Sequence, residues 1–141
     1  MPVSSIARGR EQLVTATPRT PARELVRTMD DRNVGSIIVV EDEKPVGIVT
    51  DRDVAMHVVG DDLEHDVAAE MIMTADPTCV GADEGIFELC QKMQRKSVRR
   101  MPVVDDEGRL TGIVTLDDLV VLLQDEMEDI ANVIRTESPP Y

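Results

Sequence analysis

An eight-residue phrase occurs twice in this chain, as GIVTDRDV from Gly47 to Val54 and as GIVTLDDL from Gly112 to Leu119. A phrase that recurs within 141 residues implies two copies of one structural unit, stacked so that each buries what the other cannot cover alone. Sliding the chain along itself by 64 positions pairs Leu25 with Leu89, Met29 with Met93, Val34 with Val98, and Val39-Val40 with Val103-Val104. One inserted residue, between the acidic connections EDEK at Glu41 and DDEGR at Asp105, moves the offset to 65 and brings the two phrases into line.

Each copy reads as a β-α-β-β-α unit of an α/β (α+β) fold. In the first copy LVTA near Leu13 is a short strand, and Pro21 opens a helix whose apolar stripe is Leu25, Val26 and Met29. SIIVVE and PVGIVT follow as a hairpin, joined by an acidic turn. The second copy repeats the order with TCV at Thr78, a helix from Gly85 carrying Ile86, Leu89, Cys90 and Met93, then MPVVD and LTGIVT. The strands are short and nearly all apolar, so both of their faces should be covered. Met1 to Gln12 is expected to add a short leading helix, and Val67 to Met73 a helix at the matching place between the copies. The resulting division is 1–60 for the first repeat with its lead, 61–73 for the linker, 74–134 for the second repeat and 135–141 for a flexible tail. The last helix, Leu116 to Ile134, begins LDDLVVLL and is apolar nearly all round. A helix of that kind is buried on more than one side, so one face is expected to meet a partner subunit.

Charge and composition narrow the function. The chain carries 28 acidic against 15 basic residues, a net charge of −13 that repels a phosphodiester backbone and argues against nucleic acid as a partner. Of the basic residues 12 are Arg and 3 Lys, and this acid-rich, Lys-poor surface suits a halophilic, salt-adapted source. The longest apolar stretch falls far short of the roughly 20 residues that span a bilayer. The first residues lack the apolar core of a secretory signal, so no membrane and a cytoplasmic location are expected. Cys79 and Cys90 match no metal or redox spacing and read as reduced, small core residues. His57 and His65 have no nucleophile or metal partner in the sequence, so no catalytic residue, no metal site and no enzyme activity are expected. The pairs Asp61-Asp62 and Asp105-Asp106 read as solvated turns.

Thr50 with Asp53, and Thr115 with Asp118, have the spacing of a capping box, which satisfies free N–H groups at the start of a helix. The same geometry sets a hydroxyl and a carboxylate at the mouth of a strand-to-helix turn, where the helix end favours an anion. A nucleoside needs an apolar slot for its base, a carboxylate for its ribose hydroxyls and cations for any phosphate. In the second copy Arg99 and Arg100 stand just before MPVV, whereas the first has Gly35-Ser36 there and must draw its cation from Arg52. Unequal sites are therefore expected, with phosphate held chiefly by the second copy.

VGSIIVVEDEKPVGIVTDRDV and VRRMPVVDDEGRLTGIVTLDDL resemble the cystathionine β-synthase (CBS) domain, and in tandem they resemble the CBS pair, or Bateman module, over Leu13 to Leu123. The resemblance implies two repeats related by a pseudo-twofold axis and packed through their sheets, and a homodimer in which two modules form a disc through their helices. It implies an adenine nucleotide (AMP, ADP or ATP) in the cleft between repeats, with ribose and phosphate held by Asp53, Thr50, Asp118, Thr115, Arg99 and Arg100. It also implies backbone and apolar contacts to the base from Thr15, Ile37 and Val39 in one half and Cys79, Met101 and Val103 in the other, although each of these also reads as plain core. The function so implied is regulatory ligand sensing, signalled in trans to an effector protein. Two alternatives stay open: an S-adenosylmethionine sensor, and a ligand-free dimerisation scaffold in which the motifs serve only as helix caps.

Overall fold

The computed structural model describes residues 1–137. Two four-stranded sheets form its centre. The first has the order β2-β3-β4-β5, with β2 (Thr15–Ala16), β3 (Ser36–Glu41), β4 (Lys44–Thr50) and β5 (Thr74–Ala75). The second has the order β1-β8-β7-β6, with β1 (Arg8–Gly9), β6 (Val80–Gly81), β7 (Arg100–Val104) and β8 (Leu110–Thr115). β2 runs parallel to β3 and β6 parallel to β7, and the long pair of each sheet forms an antiparallel hairpin.

Helices α1 (Ala22–Arg32) and α4 (Ile86–Lys96) occupy matching places, each ending on a left-handed residue, Asn33 (φ 52°) and Ser97 (φ 53°). Their inner faces bury Leu25 and Met29 in one copy and Leu89 and Met93 in the other. Leu25 packs with Ile37, Val39 and Val49, and Leu89 with Met101, Val103 and Val114, so each half has its own helix-covered core. Truncating either fully buried leucine to Ala is expected to cost about 2–5 kcal/mol. A second layer lies between the sheets. Ile38 and Leu110 are buried there, outside both helix-side cores, and the Leu110 N–H donates to the Glu43 carbonyl at 2.8 Å from one hairpin to the other.

The turn of the first hairpin, Asp42-Glu43, has both residues at positive φ (51° and 64°), as a two-residue turn matched to strand twist requires. After β4 the chain enters α2 (Asp51–Asp53) and continues as a π-helical stretch, Val54–Val59, where the Gly60 N–H reaches back to the Ala55 carbonyl at 3.0 Å. After β8 it enters α5 (Leu116–Glu137), a regular helix of 22 residues. Of the tail expected to be flexible, Arg135 to Glu137 form the last turn of α5, and Ser138 to Tyr141 lie outside the described residues.

The segment ahead of each repeat belongs to the other half. β5, ahead of β6 in the second repeat, pairs with β4 of the first sheet, whereas β1, ahead of β2 in the first repeat, pairs with β8 of the second. The contacts repeat in detail. Val3 N–H donates to Glu84 carbonyl at 2.8 Å, and Ala69 N–H, at the start of α3 (Ala69–Ile72), donates to Thr20 carbonyl at 2.8 Å. The expected linker helix is thus α3. The expected leading helix is replaced by two 3-10 turns, Val3–Ser5 and Arg10–Gln12, on either side of β1, because this segment spends its backbone groups on β8 and on the turn before α4.

Two further expectations are corrected. Val26 is exposed on the outer face of α1, and Cys90 is exposed on α4; the inward stripe of each helix is narrower than the sequence pattern suggests, carried by residues four apart. Among the described residues no helix is long and apolar enough to cross a membrane.

Candidate functional site

Strands β4 and β8 both deliver their threonine to the start of a helix, and both capping boxes form. Thr50 Oγ1 accepts from Asp53 N–H at 3.1 Å, and Asp53 Oδ2 accepts from Thr50 N–H at 2.9 Å. In the second copy Asp118 Oδ2 accepts from both the N–H and the hydroxyl of Thr115 at 2.9 Å, and the Thr115 hydroxyl accepts from Asp118 N–H at 3.3 Å. The caps leave one carboxylate oxygen in each copy for other work. Asp53 Oδ1 has no hydrogen-bond partner among the described residues. Asp118 Oδ1 faces the guanidinium of Arg8 at 3.5 Å.

Two clefts open between the halves, related by the same pseudo-twofold axis as the repeats. The larger, about 630 Å³, brings Thr50, Arg52 and Asp53 against Arg99 and Arg100, with Lys96 beside them. The smaller, about 230 Å³, brings Thr115 and Asp117 against Gly35 and Ser36, with Arg8 beside them. Each cleft is therefore built from the motif of one copy and the helix-to-strand turn of the other. The sequence assigns Arg99 to the same site as Thr115 and Asp118; the structure crosses it to Thr50 and Asp53. Because the sheets face one another, the start of β7 overhangs the end of β4. Arg100 lines both clefts, since it also pairs with Thr115 in the register of the second sheet.

The volumes separate the two clefts, since sites for small ligands commonly enclose about 300–1,000 Å³. So does the charge. In the larger cleft the side chains of Arg52, Lys96 and Arg100 have no ion-pair partner among the described residues, and Arg99 reaches Asp117 only at 3.9 Å between two exposed groups. Where the larger cleft has Arg52, the smaller has Asp117; where it has Arg99-Arg100, the smaller has Gly35-Ser36.

The residues expected around a base divide differently. Ile37, Val39, Met101 and Val103 are at most 1% exposed and lie in the helix-side cores, so their side chains do not reach a cleft, and only their main chain is left for a ligand. The apolar walls are instead Ile48 in the larger cleft and Ile38 with Ile113 in the smaller. The difference is one of parity, because neighbours on a strand face opposite ways. Thr15 lines a separate cavity of about 120 Å³ with Leu13, Val40 and Leu110. Cys79 stands just behind Pro77 and Thr78 of the larger cleft, its thiol donating to the Pro77 carbonyl at 3.3 Å. Burial pushes this thiol above its ordinary range, against a smaller opposing pull from Lys92, which keeps it a neutral donor.

Sequence reasoning missed Arg8, Lys96 and Ser97. Lys96 ends α4 and Ser97 is its left-handed cap, so the turn that presents them was readable from the helix end. Arg8 had no such signal, since its place depends on β1 joining the opposite sheet. Among the described residues no group of three or more His, Cys, Asp or Glu is placed to hold a metal ion.

Comparison with known proteins matches the "CBS domain" family profile to residues 3–60 and again to 67–125. An uncharacterised protein of Methanopyrus kandleri is 35% identical over 128 residues, covering 84% of this chain and 65% of that one. The CBS domain-containing protein YhcV of Bacillus subtilis is 31% identical over 110 residues, 78% of each chain. The chain thus spans a little under two thirds of the first of these relatives. Among solved structures, the CBS domain pair of protein MJ0100, in complex with 5'-methylthioadenosine and S-adenosyl-L-methionine, superposes with a TM-score of 0.79 at 27% identity, covering 89% of this chain and 98% of that one.

Proposed function

Because the chain belongs to the CBS domain family, we propose that it is a regulatory module that binds an adenosine-containing nucleotide in its larger cleft and signals its occupancy to a partner protein. One observation carries the reading: Arg52 and Lys96, cations without ion-pair partners among the described residues, line only the larger cleft and are joined there by Arg99 and by Arg100, which the two clefts share, in a chain whose net charge is −13. Keeping like charges together there favours an anion, and phosphate is one whose geometry the guanidinium fork matches. Asp53 presents its remaining oxygen to ribose hydroxyls, Thr50 stands beside it, and Ile48 supplies apolar surface for the base. The adenosine moiety shared by both ligands of the MJ0100 pair supports the base and ribose assignment.

A second reading applies to the smaller cleft. With Gly35-Ser36 in place of an arginine pair and Asp117 in place of Arg52, it suits a ligand without phosphate, a bare nucleoside or S-adenosylmethionine. The module acts in trans through its surface, and the exposed apolar side chains of α5 favour a homodimer.

The test is a thermal-unfolding series with AMP, ADP, ATP, adenosine and S-adenosylmethionine on the wild type and on Asp53→Ala. A ligand at 100 times its dissociation constant stabilises the folded state by about 2.7 kcal/mol. Stabilisation by the phosphorylated compounds that disappears in Asp53→Ala supports the proposal. Absence of any shift, with every compound, replaces it with the ligand-free scaffold.

A further inference from the structure

The two clefts share a wall. Arg99 lines the larger cleft and Asp117 the smaller, yet Arg99 Nη2 and Asp117 Oδ1 stand 3.9 Å apart, and Arg100 lines both clefts. The backbone holds them close, because the Leu116 N–H at the start of α5 donates to the Arg99 carbonyl at 2.7 Å. The pseudo-twofold counterpart lacks this link. There the Asp51 N–H donates to the Gly35 carbonyl at 3.1 Å, but Gly35 has no side chain with which to reach Arg52. The charge relay between the clefts is therefore one-sided.

The charged side chains lining the smaller cleft are Arg8, Arg100 and Asp117. Arg8 is already opposed by Asp118 at 3.5 Å. A phosphate in the larger cleft carries a charge of about −1.5 to −2, and so attracts Arg99 and Arg100 more strongly than one carboxylate can. Drawn toward that phosphate, the two arginines leave Asp117 without a cation. Asp51 adds to the imbalance, since a Cβ on Gly35, in the wall of the smaller cleft, would lie 3.5 Å from Asp51 Oδ2. Filling one cleft thus makes the other anionic. Building on the nucleotide reading of the larger cleft, we propose that phosphate bound there turns the smaller cleft into a site for a cationic ligand, an ammonium or sulfonium compound, with Asp117 selecting the charge. Linked binding is reciprocal, so the cation tightens the nucleotide by the same factor. The chain then responds to an anionic and a cationic compound present together, and it resists holding two phosphates at once.

The experiment is titration calorimetry of the full chain at neutral pH with two probes for the smaller cleft, adenosine and its 5'-amino analogue, which differ by the charge of one ammonium group. With AMP saturating the larger cleft, the amino analogue should bind the remaining site about fivefold more tightly than adenosine. AMP should tighten the amino analogue about threefold over its affinity in the absence of AMP, the scale of an exposed ion pair. Asp117→Asn should bring both ratios close to one; the side chain is 83% exposed, so the fold does not depend on it. In 1 M KCl, where the Debye length is about 3 Å, the AMP effect should vanish. If AMP does not bind at all, the nucleotide reading fails and this inference falls with it. If AMP binds, this inference alone is overturned by a smaller cleft that leaves both probes unbound or fails to discriminate between them. It is equally overturned by discrimination that survives Asp117→Asn, or by an AMP effect that persists in 1 M KCl.

Discussion

Arg8 and Asp118, 110 positions apart in the chain, face each other across 3.5 Å, with the guanidinium of the leading strand β1 set against the carboxylate of the second motif. The matching position in the other half is Thr74 on β5, which brings no charge to Asp53. Two carboxylates with the same cap thus differ in what their outer oxygen meets. One is open to a ligand and the other is engaged by the protein's own cation.

Replacing Arg8 should open the smaller cleft. In Arg8→Ala, the Asp118 oxygen is released to accept from ribose hydroxyls, and the affinity of that cleft for adenosine should rise. The pair is half exposed on the Arg8 side, so the loss of stability should stay within about 1 kcal/mol. Titration calorimetry of wild type and variant checks this through the number of adenosine sites per chain. An unchanged second-site affinity would show that Arg8 does not control the cleft.

Removing Arg99 should separate phosphate binding from nucleoside binding. Arg99→Ala is expected to weaken AMP and ATP roughly tenfold, about 1.4 kcal/mol. Adenosine itself should be little affected, because Asp53 and Ile48 are untouched. Affinities measured in low and high salt provide the check, with the wild type showing the steeper salt dependence. Equal losses for adenosine and AMP would assign Arg99 to a structural role.

Two matched glycines should respond differently to the same change. Gly112 faces β1, and a Cβ there would lie 2.6 Å from the Arg8 carbonyl, so Gly112→Ala must push a backbone strand away. At Gly47 a Cβ would meet the side chain of Met73, which can swing aside. Gly112→Ala is therefore expected to cost about 1–3 kcal/mol and Gly47→Ala less. Urea unfolding of the two variants side by side measures the difference, and equal costs would contradict it.

Acid should destabilise the second half selectively. The Glu84 carboxyl is held below its ordinary range first by its hydrogen bond from Lys92 and then by the N–H of Gly81. The unfolded chain takes up that proton more readily. The Glu84 contribution is therefore complete above the unfolded carboxylate pKa, roughly 4.3, and is lost as pH falls through the lower folded value. At the matching place in the first half the Thr20 hydroxyl accepts from Thr17 N–H at 3.0 Å and has no charge to lose. Glu84→Gln should be less stable than wild type at neutral pH and show a shallower decline between pH 5 and 3, approximately the window in which a depressed Glu titrates. Parallel slopes for the two proteins would rule Glu84 out as the source.

The hairpins, both capping boxes and the helices α1 and α4 were legible in the sequence, because an internal repeat checks each assignment against a second copy. Leu25 and Leu89 behave identically, as their alignment requires. Three things were not legible, for separate reasons. Strands apolar on both faces give no alternation, so nothing distinguished Ile37, which packs on its helix, from Ile38, which packs between the sheets. The crossing of Arg99 to Thr50 depends on how two sheets stack, which no local pattern encodes. Finally, two residues of strand at Arg8–Gly9 are too short to show a period, and only the partner strand β8 gives them their place.

The exchange of β1 and β5 between the sheets means that the unit repeated in the sequence is not the unit that can fold. Expressed alone, residues 1–60 would carry a strand with no sheet to join and would leave β4 with a bare edge, the kind of edge that recruits strands from other molecules. The self-sufficient halves are instead 13–75, which keeps α3 and β5 with the first sheet, and a permuted one that opens after β5 and closes with the chain's first nine residues. Nicked in the acidic joint after Gly60, the two fragments should stay together as a noncovalent pair and refold only when mixed.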